Sequence, residues 1–466
     1  MKKGLILLFV GMLFLSCGTD FSSEASHIVS NDSGKKEPVS LPDSDAHEDE
    51  ETDGDDGAVA LPKWTILVYM AADNNLESSA ITDFNEFENA VSDDSVRILV
   101  LFDRAEKYDA TNDDWTDTRL YEISHDSQLN KTLIVSECLD CAELGLKQGG
   151  ATELDMGNPA TLSGFVKFAR RVYSAENYGL VIWGHGTGWR NDAVSASDSE
   201  PVMRAVALDT ASDSYMTISQ IRSALSEGLE GETFEFIGFD TCFGMCLECA
   251  YELSECASFM LGTPALVPES GWNYTEVFNQ FVKSEQTTND FIQAVSSAFA
   301  DSYQNYSYAS FSCVDLGKIP AIVARFSEYA SSLAAAIASR EMRDSVFSVF
   351  TKNCVSYHAS EYPTDFYVDL YDVLGKLDSF MPSGEVRALI ADALVDSWSA
   401  AGTASSLGLF FCIYKESGFI QYSHPSLYTN GSRDTLLSRF VGDCAGYVPT
   451  SAKNTSLLDK LFSTSF

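Results

Sequence analysis

This 466-residue chain is poor in positive charge. It contains 30 Lys and Arg residues and 68 Asp and Glu residues, which gives a formal net charge of -38 at pH 7. A nucleic-acid backbone would be repelled, and no basic stripe interrupts the acidic composition. We therefore exclude nucleic acid as a partner, whereas a cationic substrate would be attracted. The 45% apolar and 12% aromatic content is nevertheless ample for a large core.

Apolar runs long enough to cross a membrane are also missing. The run from Leu5 to Leu15 is too short for a spanning helix, and it lies between two lysines and Ser16, as in an export signal. Leu13 to Cys17 resembles a bacterial lipobox, whose cysteine is acylated. We therefore predict a lipoprotein signal peptide and lipobox over residues 1-17, with a plain cleaved signal peptide as the alternative. The predicted location is the bacterial cell envelope, facing the periplasm or exterior and anchored only through a lipid on Cys17.

Residues 18-60 lack any apolar period. They contain a dense acidic block, Asp43 to Asp56, which repels itself and cannot bury enough surface to offset chain entropy. We predict a disordered acidic tether over 18-60, with folding beginning near Leu61. In an alternative reading this block collects calcium. Calcium is the one cofactor that the sequence leaves open, and no metal site is predicted.

From Leu61 onward, strand and helix patterns alternate, which indicates an α/β fold with a mostly parallel central sheet and helices on both faces. Two weaker strand candidates run from Arg119 to Ile123 and from Thr132 to Val135. The main predicted elements are the strands Trp64 to Met70 and Val96 to Phe102 and the helices Leu76 to Val91, Thr161 to Val172 and Thr217 to Leu225.

Beyond about residue 317 the pattern becomes mainly helical. We predict one folded domain over 61-316 and a C-terminal subdomain over 317-466 that packs on it. The elements predicted there are the helices Ile319 to Ala338, Met342 to Phe350, Leu370 to Leu377 and Val386 to Trp398 and the strand Leu407 to Tyr414.

Two apolar runs each lead to a reactive side chain that lies within two residues of a glycine. Leu180 to Trp183 leads into Gly184-His185-Gly186, and Phe236 to Phe239 leads into Asp240-Thr241-Cys242. A buried parallel strand delivers catalytic groups at its carboxyl end in this way. Because a thiol is mostly protonated near neutral pH, a nearby imidazole is what turns it into a nucleophile. The pair predicts nucleophilic catalysis.

Four motifs, in the same order, resemble the clostripain-like cysteine peptidases, and weaker matches extend the resemblance over about residues 62-415. The four are Trp64 to Leu76 (WTILVYMAADNNL), Glu153 to Pro159 (ELDMGNP), Trp183 to Trp189 (WGHGTGW) and Asp240 to Cys242 (DTC). The resemblance implies a caspase-like fold, a three-layer sandwich, and hydrolysis of peptide bonds after Arg or Lys in protein or peptide substrates.

The resemblance also assigns roles. Cys242 is the nucleophile, His185 is its acid-base partner, and the N–H groups of Gly186 and Cys242 form the oxyanion hole. Asp240 corresponds to the acidic floor of the pocket for the basic side chain. Relatives often carry a second acidic group before Gly-Trp, whereas Ser270 stands there in this chain. Glu269 is the candidate substitute, and a relaxed basic preference is the alternative.

The resemblance also implies self-cleavage between the strand that leads to His185 and the strand that leads to Cys242. Residues 190-205 are rich in Ser, Asp and small residues, which favours an accessible surface loop. Arg190 lies close behind the His185 motif, where the chain has little slack. Arg204 is followed by Ala205, so we predict the Arg204–Ala205 bond as the activation site, with an uncut loop as the alternative.

The other cysteines include two Cys-x-x-Cys pairs. Cys246 and Cys249 share a helical face with apolar residues, which favours a buried stripe over zinc or a redox pair. For Cys138 and Cys141 we favour a local disulfide or free thiols over metal. Two other function classes remain open: a catalytically silent surface binding or adhesion lipoprotein with a caspase-like fold, and a Cys-rich metal-binding lipoprotein.

Overall fold

A computed structural model describes residues 61–189, 206–357, 365–402, 407–412, 414–416, 419–421 and 457, and only the backbone of 365–366 and 410–421. The predicted signal peptide, Cys17, the acidic tether and the Arg204–Ala205 bond lie outside the described residues. Of the described helices, none combines the length and apolar character needed to cross a bilayer.

Most of the described strands form one nine-stranded sheet, in the spatial order β12-β10-β9-β8-β5-β1-β2-β3-β4. The five strands from β9 to β2 in this order run parallel, and their flanking neighbours on both sides are antiparallel. The strands are β1 (Trp64–Ala72), β2 (Val96–Arg104), β3 (Thr118–Glu122), β4 (Cys138–Leu139), β5 (Asn177–Trp183), β6 (Val206–Asp209), β7 (Ser214–Met216), β8 (Phe234–Asp240), β9 (Ala257–Gly262), β10 (Ser310–Asp315), β11 (Asp365–Asp369), β12 (Leu394–Ser399), β13 (Gly408–Cys412), β14 (Tyr414–Glu416) and β15 (Phe419–Gln421).

Helices cover both faces of this sheet. They are α1 (Glu77–Asn89), α2 (Pro159–Val172), α3 (Ile218–Leu229), α4 (Leu247–Glu252), α5 (Tyr274–Phe281), α6 (Thr288–Tyr303), α7 (Ile319–Ala336), α8 (Arg340–Lys352), α9 (Leu370–Leu377) and α10 (Gly384–Ala393). Helix α3 begins with a capping box, in which Thr217 and Gln220 satisfy each other's backbone N–H groups. Helix α2 begins with Asn158 as its cap and a proline in its first turn.

The side chains of β1 point alternately to the two faces of the sheet, and they explain why the sheet needs helices on both faces. Leu67 and Tyr69 lie in one hydrophobic cluster, whereas Ile66 and Val68 lie in another. Successive strand residues point to opposite faces, and here both faces are apolar. Helices α2, α3, α4 and α7 to α10 cover the first cluster, and α1, α5 and α6 cover the second. The predicted α/β fold with a mostly parallel sheet is confirmed.

One predicted helix is too long. The run from Val386 to Trp398 is helical only to Ala393, after which residues 394–399 form β12 and pair antiparallel with β10. Trp398 packs edge-on against Phe299, with 6.2 Å between ring centroids. Pairing with an open sheet edge has therefore overridden the helical pattern. The described residues after 61 belong to one compact unit, in which the C-terminal part supplies this edge strand as well as α7 to α10.

The weak strand candidate Thr132 to Val135 is also wrong. The backbone N–H groups of Val135 and Ser136 donate to the buried carboxylate of Glu88, at 2.9 and 2.7 Å, and are therefore not available for a strand ladder. The strand that pairs with β3 and ends the sheet at this edge is instead β4. Likewise, the predicted strand Leu407 to Tyr414 is divided between β13, which pairs with β11 outside the large sheet, and β14.

Candidate active site

The topology brings the two predicted catalytic side chains to the same edge of the sheet. Strands β5 and β8 are parallel neighbours, and their register pairs Trp183 with Asp240. The N–H of Gly184 donates to the carbonyl oxygen of Asp240 at 3.3 Å. The two chains therefore stay aligned one residue beyond the end of β5. His185 and Cys242 each lie two residues beyond this matched pair. The sequence motifs therefore meet in space at the carboxyl ends of adjacent strands.

Glycine at position 186 allows the two catalytic segments to touch. A Cβ atom on Gly186 would lie 2.6 Å from the carbonyl oxygen of Cys242 and 2.7 Å from Oγ1 of Thr241. Both distances are shorter than any real Cβ contact, so a larger residue would push the His185 segment away from the thiol. The backbone of Gly186 also pairs with that of Val206, at the start of β6.

His185 is oriented by a residue from the next strand. Its Nε2 lies 2.8 Å from Oδ1 of Asn75, which follows β1. Because a carboxamide oxygen only accepts, a hydrogen bond between these two atoms requires the tautomer with its ring hydrogen on Nε2, which leaves the lone pair on Nδ1. Burial lowers the pKa of His185 to about 4, so the imidazole is neutral at physiological pH.

Cys242 is held as a neutral thiol. Its Sγ accepts the backbone N–H of Val267 at 3.3 Å. Burial raises the pKa of the Cys242 thiol to about 11, with a smaller contribution in the same direction from the charge of Asp240. The resting pair therefore consists of a thiol and a neutral imidazole rather than a thiolate and an imidazolium. This arrangement can transfer a proton at the moment when sulfur attacks an electrophile.

Asp240 lies beneath the site, only 4% exposed. Its Oδ2 accepts the N–H of Trp272 at 2.9 Å and the hydroxyl of Tyr274 at 2.8 Å. Its Oδ1 is buried without a hydrogen-bond partner among the described residues. Burial raises the pKa of Asp240 to about 6. Such a carboxylate is poised to accept a cationic donor.

Two further carboxyl groups from α1 approach the same place. A Cβ on Gly271 would lie 2.7 Å from Oδ2 of Asp240 and 2.9 Å from Oδ2 of Asp83, so the two carboxylates flank this glycine. Asp83 accepts Nε1–H of Trp183 at 2.7 Å, and its Oδ1, like that of Asp240, is buried without a hydrogen-bond partner in the described part of the chain. Burial, with the charge of Asp240 adding to it, raises the pKa of Asp83 well above its ordinary value.

Glu86, one turn along α1 from Asp83, completes this group, which we call the carboxylate floor: Asp83, Glu86 and Asp240. Its Oε2 accepts the N–H of Tyr274 at 2.8 Å, and burial raises its pKa to about 7. The predicted substitute Glu269 is not part of this buried group: it is exposed, and its Oε1 is 3.4 Å from Oγ of Ser79, in the first turn of α1.

The sequence interpretation did not name Asn75 or Asp83, which the structure adds as candidate site residues. Asn75 belongs to one of the four quoted motifs and directly follows a strand that neighbours β5, and this position was the available signal. Asp83 falls on the apolar face of α1, between Ala80 and Phe87. An acidic residue at such spacing is a signal for a buried functional group, because a carboxylate is rarely buried without a reason.

The remaining described cysteines are thiols in this structure. Cys246 and Cys249 lie buried in the core together with Ala250 and Leu253, as the helical pattern predicted. Among the described residues, the one cluster of His, Cys, Asp or Glu side chains that could hold a metal ion contains no cysteine. The Cys-x-x-Cys pairs therefore do not converge on a common metal site within that part of the chain.

Comparison with known proteins places this site in context. The model of the clostripain family matches residues 68–399. Clostripain from Hathewaya histolytica is 26% identical over 244 residues, which cover 49% of this chain and 44% of that protein. The chain thus matches less than half the length of this curated relative.

Solved structures share the fold. A secreted C11 cysteine protease from Bacteroides thetaiotaomicron, in complex with an irreversible peptide inhibitor, is 20% identical, with 81% of this chain and 97% of that chain covered and a TM-score of 0.52. An inactive zymogen C11 protease from Parabacteroides distasonis is 19% identical, with the same 81% and 97% covered and a TM-score of 0.53. These likenesses confirm the caspase-like α/β architecture.

Proposed function

Because this chain belongs to the clostripain family of cysteine peptidases, we propose that it hydrolyses peptide bonds and that it does so after Arg or Lys residues. The observation that carries the proposal is the register of β5 and β8, which pairs Trp183 with Asp240, two residues before His185 and Cys242. The neutral thiol and the imidazole with a lone pair on Nδ1 are the two components that acyl transfer needs.

In the proposed reaction, Sγ of Cys242 attacks the carbonyl carbon of the scissile bond while its proton passes to Nδ1 of His185. The N–H groups of Gly186 and Cys242 receive the resulting oxyanion. The C–N bond then breaks, the imidazolium gives its proton to the leaving amine, and a thioester remains on Cys242. Water, deprotonated by His185, hydrolyses the thioester to the carboxylic acid and restores the thiol.

The pKa values favour transfer of the proton during attack rather than before it. With the pKa of His185 near 4 and that of Cys242 near 11, a free ion pair is strongly disfavoured in the closed, substrate-free site. We propose that formation of the C–S bond and of the stabilised oxyanion drives the transfer. Asn75 would act as a positioning residue that keeps Nδ1 directed at the thiol.

The carboxylate floor supports the basic preference. Oδ1 of Asp240 and Oδ1 of Asp83 are both buried without hydrogen-bond partners among the described residues, and a guanidinium or ammonium would supply the missing donors. We propose that Asp83, from α1, provides the second acidic group that the segment around Ser270 does not. Glu269 remains a candidate for the rim of the same pocket.

A peptide library tests this function directly. Purified chain incubated with a mixture of defined peptides should produce new carboxyl termini at Arg and Lys, read by mass spectrometry. Alkylation of the protein with a thiol reagent before mixing should remove the products. Cleavage with no enrichment of basic residues would refute the specificity while leaving the peptidase proposal standing, and the absence of cleavage in activated protein would refute both.

Self-processing at the Arg204–Ala205 bond is a separate proposal, and this bond lies outside the described residues. It is supported by Val206, whose backbone pairs with Gly186 beside the catalytic His185. A relative described as an inactive zymogen adds weight to an activation step. Cleavage there would place a new amino terminus one residue from a strand that contacts the active site.

We expect native protein to run as two fragments on a denaturing gel, with Ala205 as the new amino terminus by sequencing. The Cys242→Ala protein should stay intact, because the nucleophile is missing. Arg204→Ala should also stay intact, whereas Arg190→Ala, the matched control, should be cut normally. A single uncut chain with full peptidase activity would exclude maturation as a requirement.

Export and lipid attachment at Cys17 also stay proposals. The lipobox-like segment supports them, and two solved relatives are described as secreted. The substrates would then be proteins or peptides outside the cytoplasm, and the lipid would be the chain's contact with the membrane.

A further inference from the structure

A buried tyrosine of β11, Tyr367, contacts the segment that follows His185. Its hydroxyl donates to the carbonyl oxygen of Thr187 at 2.7 Å and accepts the backbone N–H of Trp189 at 2.9 Å. Both partners lie within four residues of His185, and Tyr367 itself is only 3% exposed. One hydroxyl therefore pairs with two backbone groups of the segment and fixes its path.

The ring of Tyr367 reaches the segment that follows Cys242. It stacks on Phe243, the residue directly after Cys242, with 5.3 Å between the ring centroids and 21° between the ring planes. Stacking of aromatic rings is favourable and restricts how the two rings move relative to each other. A single side chain thus touches the chain two residues after His185 and one residue after Cys242.

Glycine at position 188 makes room for this tyrosine. Gly188 has a φ of +65°, and a Cβ there would collide with the hydroxyl of Tyr367 and lie 2.5 Å from the carbonyl oxygen of Phe243. A residue with a side chain would push the three segments apart. The motif around His185 therefore contains, besides Gly186, a second glycine that permits a close approach.

The strand that carries Tyr367 is attached to the Cys242 side of the site. Strand β11 pairs antiparallel with β13, which begins at Gly408. The N–H of Gly408 donates to the carbonyl oxygen of Met245 at 3.1 Å, and its backbone forms a bridge with Cys246. The segment after Cys242 therefore determines where Tyr367 lies, and its hydroxyl connects this segment to the one after His185.

We propose that Tyr367 is a positioning residue for the peptidase reaction: it holds the His185 segment against the Cys242 segment, so that the imidazole stays directed at the thiol. This inference rests on the proposed function. Asn75 contacts the imidazole itself, whereas Tyr367 fixes the backbone that follows His185.

The contact of Tyr367 would persist if the chain were cut between the two strands. The interval 190–205, in which self-cleavage is proposed, begins directly after Trp189. A cut there would remove the covalent connection from the His185 segment to β6 but not the two hydrogen bonds of Tyr367. The C-terminal part of the chain, which supplies β11, would then align the catalytic pair as well as complete the sheet.

Tyr367→Phe tests the proposal, because it removes the hydroxyl and keeps the ring that stacks on Phe243. With an Arg peptide reporter we expect kcat to fall about tenfold, since a small misplacement of a reacting group has an effect of this size, while KM changes less than about twofold. Tyr329→Phe is the matched control. Tyr329 is a buried tyrosine of α7 whose hydroxyl donates to the carbonyl oxygen of Met381 at 3.1 Å, and its variant should keep the native kcat.

Alkylation of Cys242 by iodoacetamide distinguishes misalignment from a loosened structure. Cys242 is partly exposed, and its Sγ displaces iodide from the reagent while the thiol proton passes to His185. A displaced imidazole in Tyr367→Phe should slow this reaction by a factor similar to that in kcat. A merely loosened structure would expose the thiol and speed the reaction. Mass spectrometry of the peptide that contains Cys242 measures the rate separately from the other thiols.

The proposal is overturned if native protein cleaves the reporter and Tyr367→Phe matches it in kcat and in alkylation rate. A lowered kcat with faster alkylation would also overturn it, because Tyr367 would then contribute to stability alone. Native protein without peptidase activity would refute the proposed function and this inference with it. Should Tyr367→Phe fail to fold by circular dichroism, Phe243→Leu, which weakens the stacking from the other side, decides the outcome by the same two measurements.

Discussion

Replacing Cys242 with alanine should lower kcat/KM for an Arg peptide reporter by at least about a thousandfold while the protein stays folded. In the proposed mechanism the thiol of Cys242 is the nucleophile, and alanine has no group that could form the thioester. His185→Ala should produce a loss of similar size, since nucleophile and base act as a unit. The double variant should lose little more than either single one.

Cys354→Ala is the matched control for this experiment. Cys354 is also a partly buried thiol with a pKa raised by burial, but it follows α8, and its Sγ donates to the carbonyl oxygen of Phe350. Its loss should leave turnover unchanged. If Cys242→Ala matched the native protein in activity and in circular dichroism, the catalytic proposal would have to be abandoned.

Asp240→Asn should change specificity rather than abolish chemistry. We expect kcat/KM for an Arg reporter to fall about 10- to 100-fold, the range expected for one charge-assisted hydrogen bond in a dry pocket. An Ala reporter should change little, because its side chain does not reach the carboxylate floor. An equal loss on Arg, Lys and Ala reporters would make Asp240 a structural residue.

Two further variants identify the second acidic group of the pocket. If Asp83 fills this role, Asp83→Asn should selectively weaken Arg cleavage, while Glu269→Gln leaves the ratio of Arg to Ala cleavage intact. The reverse result would assign the role to Glu269 on the rim.

The carboxylate of Asp240 sets the expected pH dependence of cleavage. Because the pKa of Asp240 is raised to about 6, lowering the pH through 6 protonates it and removes the charge that faces the substrate cation. Cleavage of the Arg reporter should therefore decline below about pH 6 in the free enzyme. The Ala reporter should persist to lower pH, since His185, with a pKa near 4, stays neutral there. Asp240→Asn should abolish this difference between the two reporters.

Sequence reasoning predicted that the strands before His185 and Cys242 end side by side, and β5 and β8 are parallel neighbours in the sheet. The two side chains stay candidate catalytic residues, identified because parallel neighbours end at the same edge of a sheet. Asp83 was not predicted as a candidate site residue, because helical spacing shows which face of a helix is buried but not which polar group on that face could meet a ligand. The four acidic side chains Asp73, Asp103, Glu153 and Asp209, whose oxygens lie within 4.8 Å of one another, could not be grouped from spacing, since they meet only when four segments fold together.

Strand β12 shows a second case in which local sequence did not predict the structure. Residues 394–399 follow a helical pattern, and their pairing with β10 depends on an edge that the local sequence does not reveal. Trp398 was read as part of a helix face, although it packs against Phe299 of α6 from a strand. Tertiary contacts decided the outcome there.

Strand β12 is synthesised after all the other strands of the large sheet, so this edge of the sheet is completed last. Strands β5 and β8, which present His185 and Cys242, are made well before β12, so the catalytic pair can be assembled while β10 still has β9 as its one neighbour in the sheet. During that interval β10 presents an unpaired ladder, which invites association with other nascent chains. A chain that stops before residue 394 would end its sheet at β10 instead of at β12.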